Sequence, residues 1–276
     1  MRPDISLGIN TSLARQLLVS FLREEVTRTG LSRAVVGLSG GVDSALSCFL
    51  AAEALGSQNV LAVRMPYKTS SSDSLAHAQL IIDQLGVQSE TFSITDVVEP
   101  LLETISVEDS RRRGNIMARA RMIVLYDRSA ATNALVIGTG NKTEILLGYT
   151  TLFGDSASAL NPLGDLYKTQ VRQLARAIGV PAPIVDKPPT ADLWPGQTDE
   201  GEMGLTYERV DQLLYLLVDQ RYHPEECMEA GFEKSFVERV LKMIRQNQFK
   251  RMPPIIAKLS NRTVGYDFLY LRDWGT

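Results

Sequence analysis

A chain of 276 residues, 44% hydrophobic and with a formal charge of -3, is long enough to bury a substantial core and gives no electrostatic reason to expect a nucleic acid as partner. It holds no uninterrupted apolar run of about 18 residues, so no membrane-spanning helix is expected. Cys48 and Cys227 match neither a metal spacing nor a disulfide framework, and no basic segment leads into an apolar core at the start, so cytoplasmic residence is the expectation.

Leu13, Leu17, Leu18, Phe21, Leu22 and Val26 recur at helical spacing, which predicts an amphipathic opening helix that ends near Gly30. Strand and helix signals then alternate: strand 34–38, helix 44–55, strand 59–64, helix 73–85, a short strand around 91–94, helices 97–105 and 115–129, and strand 134–137. Short β-branched runs separated by helices call for an α/β fold, with a mostly parallel sheet covered by helices on both faces. The rhythm loosens after Gly148, returns as a helix over 168–178, and gives way to a Pro-, Gly- and acid-rich stretch over 180–204. Within that stretch, residues 187–192 and 197–202 are read as neither ordinary helix nor core strand; loops this long are uncommon unless they are functional lids or disordered. Helices over 207–217 and 235–247 follow, and a single domain over 1–276 is expected.

The strand Ala34-Val35-Val36-Gly37-Leu38 runs directly into Ser39-Gly40-Gly41-Val42-Asp43-Ser44 and then a helix. Two glycines permit a tight turn, Ser39 and Ser44 supply hydroxyls, and the free N–H groups of a helix start face an anion. A carboxylate beside a polyphosphate would repel it, so Asp43 makes better sense holding a divalent cation that bridges to the phosphates. The plainer account is a Gly-rich turn with Asp43 and Ser44 as helix caps. In a parallel sheet, ligands sit at the carboxyl ends of the strands. Three candidate elements emerge there from different strands: residues 39–44, Arg64-Met65-Pro66-Tyr67, and Gly138-Thr139-Gly140-Asn141. No GxxxxGK[ST] occurs, and the glycines around 138–143 lack the third of a dinucleotide fingerprint.

The Ser39-to-Ser44 loop resembles the pyrophosphate loop of the ATP pyrophosphatases, and the ordered motifs around it resemble one family among them, the NAD synthetases. The resemblance runs through Gly114-Asn115-Ile116-Met117-Ala118-Arg119-Ala120-Arg121-Met122, Gly140-Asn141-Lys142-Thr143-Glu144, Gly148-Tyr149-Thr150-Thr151-Leu152-Phe153-Gly154-Asp155, and the stretches 187–190 and 197–204. It implies a Rossmann-like three-layer fold of the adenine nucleotide alpha hydrolase type. It also implies ATP-dependent amidation of nicotinic acid adenine dinucleotide (deamido-NAD) by ammonia, giving NAD, AMP and pyrophosphate through an adenylate. By the same resemblance Gly37, Leu38, Ser39, Gly40, Gly41, Val42, Asp43, Ser44, Arg64, Thr139, Lys168 and Thr190 meet ATP, with Asp43, Lys168 and Thr190 at the reacting phosphates. Asp43 and Glu144 correspond to the Mg2+ ligands, while Arg119 and Lys250 correspond to contacts with the deamido-dinucleotide. A homodimer with substrate groups near its interface is also implied.

Read on their own, Glu144 is a solvated residue of a helix first turn and Lys168 a solvated helix residue. Arg111, Arg112 and Arg113 read as basic helix surface. Asp199 and Glu200 are either ammonium-binding groups or solvated loop residues. The chain departs from the shorter ammonia-using members at Leu152, where they commonly carry a lysine, and at Ala159, where they carry an acid. Phe249 replaces the histidine of an expected His-Lys pair, leaving Lys250 alone. With no cysteine in a glutaminase setting, free ammonia is the expected nitrogen source, and a separate glutaminase subunit stays open. The rival readings are an ATP pyrophosphatase acting on a purine nucleotide and a nucleotide-binding regulator that retains the fold.

Overall fold

The computed structural model describes residues 5–190, 199–252 and 254–268. Helix α1 (Thr11–Arg28) opens on Asn10, whose side chain accepts the Leu13 N–H, and leads into β1 (Arg33–Gly37) and α2 (Val42–Leu55). Then come β2 (Val60–Arg64), α3 (Ser72–Leu85), β3 (Gln88–Thr91), α4 (Thr95–Thr104), α5 (Ser110–Thr132) and β4 (Ala134–Ile137). The chain continues through α6 (Lys142–Leu147), α7 (Lys168–Ala177), α8 (Ala182–Val185) and α9 (Asp199–Met203), and ends in α10 (Tyr207–Leu214), α11 (Pro224–Glu229) and α12 (Lys234–Gln246).

The strands pair in parallel in the order β3-β2-β1-β4. Alternation along them divides two cores. Ala34, Val36, Val60 and Ala62 pack with Leu22, Leu46, Leu50 and Val171 of the helices on one face. Val35, Leu61 and Val63 pack with Val124 and Leu125 of α5 on the other. The chain runs from β1 outward to β2 and β3 and returns to place β4 on the far side of β1, so a crevice opens between the carboxyl ends of β1 and β4. A separate core of Leu147, Tyr207, Val210, Leu213, Phe232 and Val240 packs the C-terminal helices on α6.

Several expectations are corrected. Of residues 197–202, expected to be non-helical, 199–202 fall within α9, and 182–185 form α8, so the 180–204 stretch is not one continuous loop. Residues 191–198 of that stretch, including Asp192, Gln197 and Thr198, lie outside the described residues. The third strand lies at 88–91 rather than 91–94, because only that register matches Leu61 to Gln88 and Arg64 to Thr91. The helix expected over 207–217 changes to a π turn at Tyr215–Asp219, and α11 had no apolar periodicity long enough to announce it.

Candidate active site

The phosphate loop forms because Gly40 adopts φ +82°, a left-handed conformation that brings it against α3; a Cβ there would lie 2.2 Å from the Ser74 carbonyl oxygen. Ser44 Oγ accepts the Ser39 N–H at 3.2 Å and donates to Gly41 O at 3.0 Å, so the loop is closed by its own hydroxyls before α2 begins. Gly41 stands at the N-cap of α2 with no side-chain cap, and Asp43 falls in the first turn. Neither Asp43 nor Ser44 is therefore spent on capping. Asp43 Oδ1 accepts from Asn141 Nδ2 at 2.9 Å, and Oδ2 accepts from Lys168 Nζ.

Lys168 starts α7 and is 3% exposed, which overturns its reading as a solvated helix residue. Its ammonium also lies 3.4 Å from Glu144 Oε1 and 5.3 Å from the centre of the Tyr207 ring. Glu144 does cap its helix, with Asn141 as the reciprocal partner, yet the same carboxylate turns into the site. Burial alone would lower the Lys168 pKa, but the Asp43 and Glu144 charges overcome it and hold the ammonium above its ordinary value. Burial pushes the Glu144 carboxyl up to about 8 against the pull of Lys168. Two carboxylates converging on one point suit a divalent cation, whose charge would reverse that upward shift. Among the described residues no group of three or more His, Cys, Asp and Glu side chains forms a ready metal cage, so water and ligand oxygens would complete its coordination.

The two acids border a cavity of about 190 Å3 lined also by Ser39, Gly41, Ser44, Lys187, Thr190 and Asp199. It shares Ser39, Ser74, Thr139, Tyr149 and Asp155 with a larger cavity of about 740 Å3 that runs over Gly37, Leu38, Arg64 and Val136 toward α12. The three strand-end elements thus meet in one composite pocket. Arg64 Nη1 donates to Gln79 Oε1 at 2.6 Å, while its buried Nε has no hydrogen-bond partner. Arg64 itself lines the larger cavity.

A family model for NAD synthase matches residues 14–254. The chain belongs to the NAD synthase family. Its relatives include NH(3)-dependent NAD(+) synthetases of Trichlorobacter lovleyi, 55% identical over 98% of each chain, and Chlorobaculum tepidum, 53% identical over 99% of each. Among solved structures it is similar to an NMN synthetase from Francisella tularensis, with a TM-score of 0.82 and 32% identity over 91% of this chain and 100% of that one. It also resembles the glutamine-dependent NAD+ synthetase of Acinetobacter baumannii in complex with ADP, with a TM-score of 0.68 and 28% identity over 96% of this chain and 50% of that one.

Two residues that the NAD synthase resemblance assigns to the dinucleotide stand differently from the rest. Arg119 is exposed, does not line the larger cavity, and donates through Nε to Leu152 O at 3.3 Å; Arg111 and Arg121 line the cavity instead. Lys250 does line it, but its Nζ is occupied by Gly148 O and Thr150 O at 2.6 and 2.7 Å, so it braces the 148–150 backbone. Asp199 is no solvated loop residue: it is 5% exposed and accepts from Tyr149 Oη at 3.3 Å and Tyr207 Oη at 3.2 Å. Burial raises its pKa, with the Lys168 charge opposing. Sequence reasoning missed Asp211, which is fully buried and accepts from Thr143 Oγ1 at 2.6 Å and Thr169 N at 2.9 Å. The available signal was its place four residues after Tyr207 on the apolar face of α10.

Proposed function

We propose that this chain is an ammonia-dependent NAD synthetase that joins deamido-NAD and ammonia at the expense of ATP. The observation that carries this reading is the convergence of the phosphate loop, Asp43, Glu144 and Lys168 on the smaller part of a two-part cavity. A carboxylate has no good leaving group, so it must be activated. The nicotinate carboxylate attacks the ATP α-phosphorus, pyrophosphate leaves, and ammonia then displaces AMP from the acyl adenylate. The loop amides, Ser39 and Ser44 hold the phosphates, with Thr190 beside them and Arg64 and Thr139 in the nucleotide part of the cavity. Asp43 and Glu144 would hold Mg2+, which would supply positive charge to offset that of the pyrophosphate. No side-chain nucleophile is needed, and Cys48 is unsuited to be one because burial pushes its thiol up to about 12.

Incubation with ATP, Mg2+, ammonium and either deamido-NAD or nicotinic acid mononucleotide tests the reading. AMP, pyrophosphate and NAD are expected in equal amounts, with the dinucleotide strongly preferred. Stoichiometric ADP and orthophosphate would sink the mechanism. Preference for the mononucleotide would instead align the chain with its NMN synthetase neighbour.

The same reading includes a homodimer. On α5, Val124 and Leu125 turn to the sheet, whereas Ile123 is 61% and Tyr126 42% exposed, which leaves apolar side chains for a two-fold contact. Arg119, outside its own cavity, would then serve a substrate bound near the subunit boundary. The described residues contain no helix long and apolar enough to cross a membrane, and cytoplasmic residence goes with this reading.

A further inference from the structure

The cations around the smaller cavity are not equivalent. Lys168 already faces Asp43 and Glu144, and Asp199 adds a third acid to its surroundings. Its charge is balanced before any ligand arrives. Lys187 also lines this cavity, delivered by the segment after α8. Its Nζ donates to Ser74 Oγ at 3.0 Å, and no carboxylate lies within ion-pair distance of it among the described residues. Ser74 is the residue whose carbonyl abuts Gly40, so Lys187 is anchored beside the phosphate loop. The wall it occupies also carries Ser39, Gly41 and Ser44, whose amides and hydroxyls select an anion.

We infer that Lys187 is a second phosphate-holding cation, gripping the β- and γ-phosphates of ATP and the pyrophosphate they become; this rests on the amide-forming reading above. When the substrate carboxylate oxygen bonds to the α-phosphorus, the P–O bond between the α-phosphorus and the bridging oxygen breaks. Its electron pair goes to that oxygen, which departs as a terminal oxyanion of pyrophosphate. No proton or redox partner is required. Negative charge accumulates on the leaving group, and an ammonium with no carboxylate partner among the described residues gains more from it than one already paired.

Pyrophosphate binding to the full chain, measured by calorimetry with Mg2+ and without ATP or dinucleotide, tests the assignment alongside steady-state kinetics. Replacing the charge-assisted contact in Lys187→Met should weaken pyrophosphate binding and raise the ATP KM by about tenfold or more, while the deamido-NAD KM stays within about twofold. Lys187→Arg should recover most of the loss, and Lys187→Gln carries the test if the Met variant melts abnormally. A variant without the charge that binds pyrophosphate like the wild type overturns the assignment, as does one whose deamido-NAD KM moves as far as its pyrophosphate affinity. The calorimetric readout needs no amide formation. Protein that grips pyrophosphate through Lys187 but yields no NAD would therefore defeat the proposed function and leave this assignment standing.

Discussion

The Lys168 ammonium is hydrogen-bonded to the carboxylate of Asp43, a residue 125 positions earlier in the chain. The contact joins the phosphate loop to the first residue of α7, so the acid that would take a metal and the lysine that would meet phosphate hold each other in place. Disturbing either should therefore register in catalysis before it registers in folding.

Asp43→Asn and Glu144→Gln preserve approximate volume and remove the charge of a hard oxygen ligand. Each should lower kcat/KM for ATP by about a hundredfold or more, with a larger deficit at limiting Mg2+. Stability should fall by less than the about 3–5 kcal/mol typical of an orphaned buried charge, since Lys168 keeps one carboxylate in either variant. Magnesium titrations in which both variants retain wild-type kcat would show that these acids hold no metal.

Asp211 fastens the start of α6 through Thr143 and the first turn of α7 through Thr169. Asp211→Ala strands the buried Thr143 hydroxyl and the part-buried Thr169 N–H and should destabilise the protein by about 2–4 kcal/mol, since each unsatisfied group costs about 1–3 kcal/mol and relaxation recovers part. Chemical denaturation measures this. A change below about 0.5 kcal/mol, the usual scale of a surface substitution, would mean the network is not holding the helices.

Ammonia attacks through its lone pair, which protonation removes. Below the pKa of ammonium, the total ammonium needed for half-maximal rate should fall about tenfold per pH unit as pH rises. Glutamine should support little activity in homogeneous protein freed of ammonia. A half-saturating ammonium concentration that does not move with pH would point to ammonium as the bound and reacting form.

Sedimentation equilibrium over a concentration series should find a dimer, and Ile123→Asp with Tyr126→Glu should shift it toward monomer. Arg119→Ala should raise the KM for deamido-NAD more than that for ATP. A wild-type monomer that is fully active at assay concentration rules out the dimer requirement, and an unchanged dinucleotide KM removes Arg119 from the substrate.

The residues alone determined the alternation of strands and helices, the phosphate loop with its glycines and hydroxyls, and the three strand ends that share a pocket. Those features are local: periodicity, turn chemistry and helix starts are written in neighbouring residues. The motif order was equally legible, because it preserved Asp43, Glu144, Lys168 and Thr190 in recognisable contexts. Only the tertiary structure decided what these groups do to one another. Lys168 reads as a solvated helix residue until α7 is packed beside α2 and α6, where Asp43 and Glu144 make its burial tolerable. Asp199 reads as loop until α10 brings Tyr207 against it, and only the winding of α5 decides that Arg121 lines the cavity wall while Arg119 stands exposed beside it. A charge's burial and its partners are properties of long-range packing, set here by residues tens to more than a hundred positions apart, and local pattern carries no record of them.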